Sequence, residues 1–185
     1  MKRYRIPSSG PERERILTHL SEKVHEVEAQ ASTGAIGFHA GRIPPGSAFR
    51  PGPIFLTHTV EEAEAWRDHV GCPHIHIVRN TCQKIFFVRS GKQYRDLRVK
   101  SGATHAKSGN ILDGNVMMID YIQKHYGPVC SVVVTKKAYN DYGNHVEIRE
   151  HEEEVPPHWS EFTVILDSKY ARIEDSFPEN VRWKG

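Results

Sequence analysis

The chain has little cysteine: Cys72, Cys82 and Cys130 are the only three in 185 residues, and no Cys-x-x-Cys occurs. An odd number at such wide spacing fits neither a disulfide framework nor a zinc ribbon, so the three are read as packing residues. Long apolar runs are missing too. The longest, Val132–Val134 and Phe162–Leu166, fall far short of the roughly 20 residues that cross a bilayer. The basic start Met1–Arg5 leads into Ile6-Pro7-Ser8-Ser9-Gly10 without an apolar stretch, so no secretory signal is expected and the location expected is cytoplasmic. An excess of one charge is also lacking. Lys and Arg number 25 against 23 Asp and Glu, a balance that argues against a dedicated nucleic-acid binder or a membrane-surface protein. No P-loop, Gly-x-Gly-x-x-Gly or Gly-x-Ser-x-Gly is present, which excludes kinase, Rossmann and α/β-hydrolase readings.

What is present is enough for a packed core: 38% hydrophobic residues and 9% aromatics. Twelve histidines make the net charge climb below about pH 6.5. The chain is read as a single unit over 1–185, an N-terminal helix at 11–31 followed by a core over 36–185.

The periodicity predicts an amphipathic helix over 11–31, with Ile16, Leu17, Leu20, Val24 and Val27 on one face. Residues 41–53 hold four prolines and three glycines and can only be a loop. A short strand over 53–57 runs into a helix opened by the capping box Thr59-Val-Glu-Glu62, with Val60, Ala63, Trp66 and Val70 inward. Strands are expected at 74–78 and 83–88. Residues 89–110 read as a polar, basic loop, and 112–126 as a helix with Val116, Ile119 and Ile122 inward. Late strands are expected at 129–135, 144–149, 161–166 and 170–174, with an acidic turn at 150–157. The class is α+β, with one sheet holding most of the late strands.

Three segments stand out together. They are Gly37-Phe-His39-Ala40-Gly41-Arg42, Gly52-Pro-Ile-Phe55-Leu-Thr57-His-Thr59 with the helix after it, and Trp159-Ser-Glu161-Phe-Thr-Val-Ile-Leu-Asp167. In this order they resemble the ADP-ribosyltransferase fold in its His-Tyr-Glu class, the group of diphtheria-like toxins and poly-ADP-ribose polymerases. There a His-Gly-Thr/Ser turn precedes a Tyr-Leu-Thr strand with an alanine-rich helix, and later a Glu-Tyr/Phe-x-Val strand. The likeness covers residues 36–70 and 159–174.

The resemblance implies an ADP-ribosyltransferase-like split sheet with flanking helices and NAD as co-substrate. Glu161 would be the catalytic acid, accepting a hydrogen bond from the ribose 2′-hydroxyl and stabilising an oxocarbenium-like transition state. His39, Ala40, Gly41, Phe55 and Thr57 would bind the cofactor. His39 would hold a ribose hydroxyl, the backbone at Ala40 or Gly41 the carboxamide, and the Phe55 ring the nicotinamide. The helix at 11–31 would pack beside the split sheet, and the loop 41–53 would cover the adenosine side. The implied activity is mono-ADP-ribosyl transfer, or NAD hydrolysis where water is the acceptor. The acceptor class stays open among protein, nucleic acid and small molecule, and neither a metal nor a membrane is called for.

Three positions depart from the family pattern. Phe55 replaces tyrosine, which keeps a stacking face and loses a hydroxyl. Alanine follows His39 where glycine is usual. Trp159 stands where arginine-modifying toxins carry Gln or Glu, against protein-arginine modification.

Other groupings compete. Glu147, on one strand face with His145, is the rival acid. His74-x-His76 has metal-site spacing and, with His145 and Glu147, would suit a divalent ion in a β-rich enzyme. A nucleotide- or protein-binding module without catalysis is the remaining alternative. Arg89, Lys92, Arg95, Arg98, Lys100 and Lys107 around Tyr94 form a basic stretch able to meet phosphates.

Overall fold

Pro11 opens α1 (Pro11–Ala31), where its missing N–H costs nothing and its fixed φ favours the helix. Leu20, Val24, Val27 and Ala31, at helical spacing, are the residues it buries. The computed structural model describes residues 5–44, 46–103, 111–143 and 161–183. After α1 come β1 (Ile36–Gly41), β2 (Ile54–Thr57), α2 (Val60–Val70), β3 (His74–Asn80) and β4 (Ile85–Val88). Then follow α3 (Gly91–Ser101), α4 (Ile111–His125), β5 (Ser131–Val134), α5 (Lys136–Gly143), β6 (Phe162–Ile165), a 3₁₀ turn (Ser168–Tyr170) and β7 (Ala171–Ser176).

Among the described residues the strands form one seven-stranded mixed sheet in the order β4-β5-β6-β2-β1-β3-β7. Only β4 and β5 run parallel; the other neighbours are antiparallel. Helices cover one face. Under α1 and α2, Leu20, Val24, Val27, Val60 and Ala63 meet Ile36, Phe38, Ile75 and Ile77. Under α3, α4 and α5, Tyr94, Leu97, Met118, Ile122 and Ala138 meet Val132, Val134, Phe162 and Val164. On the other face Ile54, Leu56, Val78 and Ile165 form a smaller cluster, closed by Phe49 from the 42–53 loop and by Tyr170 and Ile173. The class is α+β with flanking helices, and α1 belongs to the main core.

The capping at Thr59 is as expected. Its side chain accepts from the Glu62 N–H, and the Glu28 carboxylate of α1 takes the Val60 N–H at 2.9 Å. Gly71 ends α2 in the left-handed conformation, φ 64°, that a side chain would resist.

Several expectations are corrected. The stretch 89–110 is not a loop throughout, because α3 occupies Gly91–Ser101, capped by the Ser90 hydroxyl. Its Tyr94 and Arg98 are buried, both bonded to Asn115 Oδ1, so among the described residues of the basic stretch Arg89, Lys92, Arg95 and Lys100 face solvent. The α4 stripe is rotated: Asn115 and Met118 are buried with Ile119 and Ile122, whereas Val116 is 39% exposed. Val70, expected inward, is 51% exposed. The helix α5 over 136–143 is an element the sequence reading does not predict. Cys82 and Cys130 form a disulfide rather than serving as separate packing residues, and Cys72 alone is free. Parallel pairing of Ile85 with Ser131 brings the residues just before β4 and β5 together, Cα to Cα 5.8 Å, across a separation of 48. The expected strand 144–149 with His145 and Glu147, the acidic turn 150–157, Lys107 and Trp159 lie outside the described residues.

Candidate functional site

The sheet is tightly registered between β1 and β3, with six residue pairs from Ile36↔Arg79 to Gly41↔His74. Between β1 and β2 only Phe38↔Thr57 is registered. Past Phe38 the two strands part, and a cavity of about 200 Å³ lies at the parting. Its walls are Phe38, His39 and Ala40 of β1, Phe55, Leu56 and Thr57 of β2, Trp66 and Val70 of α2, Val116 of α4 and Phe162 of β6. The volume is below the roughly 300–1,000 Å³ of drug-sized sites and suits one flat ring with a small substituent.

His39, Ala40, Phe55 and Thr57, separated by up to 18 positions, thus share one cavity. His39 Nδ1 donates to the Phe55 carbonyl oxygen at 2.9 Å, which places the proton on Nδ1 and leaves Nε2 as an acceptor. Burial pushes the His39 pKa down, opposed by that carbonyl bond, so the ring is neutral at pH 7. It also meets Phe49 edge-on, centroids 5.3 Å apart. Gly41 does not line the cavity. It has another reason to be glycine: a Cβ there would sit 2.6 Å from His39 Nε2. The Thr57 hydroxyl donates to Thr59 O at 3.1 Å, with Phe38 O 3.4 Å away, and so ties the end of β2 to its surroundings.

The cavity has more aromatic lining than the three segments foretold. Phe55 and Phe162 rings stand 6.3 Å apart, and Trp66 closes the α2 side. Val70 and Val116, both partly solvent-facing, stand at its rim. The periodicity of α2 gives Trp66 a packing role in its inner stripe. The signal that separates it from packing is that the α2 stripe carries on into Trp66 and Val70, beyond the turn that Val60 and Ala63 bury.

Glu161 is placed differently. It precedes Phe162, which pairs with Thr57, so it stands beside His58, about 10 Å along β2 from Phe55 at the usual strand rise. Strand alternation turns it away from the cavity, on the side of Thr163 rather than of Phe162. There its Oε2 is 3.1 Å from His58 Nδ1, and His58 Nε2 is 2.8 Å from Thr163 Oγ1. The contact with His58 holds the Glu161 carboxyl below the usual carboxylate range, against the opposing effect of burial and with help from the Lys136 N–H and charge.

The histidine pair at 74 and 76 shares one strand face, ring centroids 5.8 Å apart. Both nitrogens of His76 are engaged, Nδ1 with Ser176 Oγ at 2.7 Å and Nε2 with Ile43 O at 2.9 Å. No group of three or more His, Cys, Asp or Glu able to hold a metal occurs among the described residues. No helix among them is long and apolar enough to cross a membrane.

The architecture so assembled is an α+β sheet protein with an aromatic cavity at a parting of two central strands. Comparison with family models, curated proteins and solved structures finds no match to the chain.

Proposed function

We propose that the chain binds NAD and transfers its ADP-ribose to an acceptor with release of nicotinamide. The observation that carries this reading is the cavity itself. Two segments singled out for their likeness to ADP-ribosyltransferases part from each other in the sheet, and His39, Ala40, Phe55 and Thr57 line the gap.

The chemistry suits these residues. An aromatic cavity without a charged wall accepts the nicotinamide ring between Phe55 and Trp66. Strand alternation puts the His39 side chain on the same sheet face as Glu161, opposite Phe55 and Phe162, so its Nε2, beside Gly41, accepts from a ribose hydroxyl where the ribose passes to that face. Glu161, kept ionised, stabilises positive charge as the C1′–nitrogen bond breaks and the electron pair leaves with nicotinamide. An acceptor nucleophile then bonds to C1′ and gives up its proton; with water as acceptor the outcome is NAD hydrolysis. The reading requires the bound ribose to reach past the end of β2, where Glu161 stands beside His58.

That same placement favours a second reading, a module that binds a nucleotide without cleaving it. One assay separates the two: metal-free nicotinamide release from NAD, with cell lysate as acceptor pool, alongside NAD binding. Release by the wild type that is lost in Glu161→Ala supports transfer. Binding without release leaves the module, and neither binding nor release removes both.

A further inference from the structure

We infer that His58 is a positioning residue for Glu161, held in its own orientation by the Thr163 hydroxyl. This rests on the transferase reading above and names a device within the same site.

Glu161 immediately precedes β6 rather than sitting inside it, so its own backbone restrains it little, and a side chain with three rotatable bonds loses rotamer freedom when aimed. His58 supplies the restraint. It is the residue between the end of β2 and the Thr59 cap of α2, fixed by structure on both sides. Its side chain is 2% exposed and that of Glu161 18%. The hydroxyl of Thr163, fully buried, lies 2.8 Å from Nε2. A lone pair on Nδ1 would face the carboxylate 3.1 Å away, so the ring proton belongs on Nδ1, which leaves Nε2 to accept from the Thr163 hydroxyl. The approach to the carboxylate lies off the N–H axis, and Nδ1 has no other partner among the described residues. A buried donor without a second partner is costly unless it serves the carboxylate beside it. The result is a line Thr163–His58–Glu161, in which Thr163 of β6 and Glu161 just before it clamp the residue that follows β2.

Among the described residues, the groups that face Glu161 are His58 and, from the start of α5, the Lys136 backbone N–H and side-chain charge. Lys136 is not altered by changes at 58 or 163, so a change in the behaviour of Glu161 on substituting either of those two reports on the line itself.

The test uses His58→Asn, His58→Gln and Thr163→Val in the full chain. Asn keeps a donor near the Nδ1 position; Gln keeps a partner for Thr163 but withdraws the donor from Glu161. The Glu161 carboxyl is titrated by carbon-detected NMR, and nicotinamide release from NAD is followed against pH. The expected result is an upward shift of the Glu161 titration and of the acid limb of the rate in His58→Gln and Thr163→Val. With it, kcat falls about tenfold, the factor of one small interaction lost in the transition state, and KM for NAD is unchanged. His58→Asn restores both. A Glu161 titration unmoved by His58→Gln and Thr163→Val overturns the inference, and so does a shift that His58→Asn fails to reverse. A wild type that releases no nicotinamide overturns the transferase reading instead, while the titration still decides whether His58 holds Glu161.

Discussion

His39 Nδ1 lies 2.9 Å from the carbonyl oxygen of Phe55, across the parting of β1 and β2. A side chain thus bridges where the ladder between these strands has stopped. The bond sets the tautomer of His39, and with it which nitrogen is free for a ligand.

Gly41→Ala tests that arrangement. Its Cβ would come within 2.6 Å of His39 Nε2, so the ring must rotate and give up Phe55 O. The expected outcome is a loss of about 1–3 kcal/mol in stability from overpacking, with weaker NAD binding. Urea melts and calorimetric titration with NAD check it. Unchanged binding in a folded Gly41→Ala would show that Nε2 does not face the ligand.

The aromatic walls predict a ring preference. Phe55→Leu and Trp66→Leu keep the cavity apolar and remove the π faces. Each is expected to weaken nicotinamide binding by about 0.5–1.5 kcal/mol, the usual worth of one aromatic pair. Val116→Ala, at the rim, is expected to change it less.

Stability should depend on pH through His76. Burial above all, with the nearby His39 and His74 charges, depresses its pKa to about 4, opposed by the Ile43 carbonyl. The unfolded ring titrates near 6.5. Above that pH neither state is protonated and the full contribution is present. As the pH falls from about 6.5 to 4 the unfolded chain takes the proton first, and stability is lost, on the order of 3 kcal/mol in all. Denaturant melts across this window, compared with those of His76→Gln, isolate the effect. Parallel curves for the two proteins would refute it.

The Cys82–Cys130 bridge closes a separation of 48 residues. Cys82→Ser with Cys130→Ser is expected to cost about 2–4 kcal/mol by freeing the unfolded chain. Non-reducing peptide mapping should join the peptides of Cys82 and Cys130. Cys72 is buried, with a raised pKa, and should alkylate only on unfolding.

Local order was readable because its causes are local. The α1 stripe, the Thr59 cap, the proline- and glycine-rich 42–53 loop and the alternating strands each carry their signal within a few residues. The reading failed where burial came from afar. α3 shows little apolar periodicity, because two of its inward residues are Tyr94 and Arg98, whose polar atoms meet Asn115 of α4. The stripe of α4 was misplaced for the same reason: Asn115 is buried and Val116 is not.

The candidate site divides in the same way. That His39, Ala40, Phe55 and Thr57 deserved notice could be seen in the order of residues along the chain. That they line one cavity with Trp66, Val116 and Phe162 depends on β1 parting from β2 after a single registered pair. That Glu161 pairs with His58, away from the aromatic rings, depends on the register of β6 against β2, where a slip of one residue would turn it to the other face. Cys82 and Cys130 meet because β4 and β5 lie side by side in parallel. Periodicity and capping act over one or two turns of chain, so residue order settles them. Register and neighbour choice are settled by which buried faces fit together over dozens of residues, and only the folded sheet decides that.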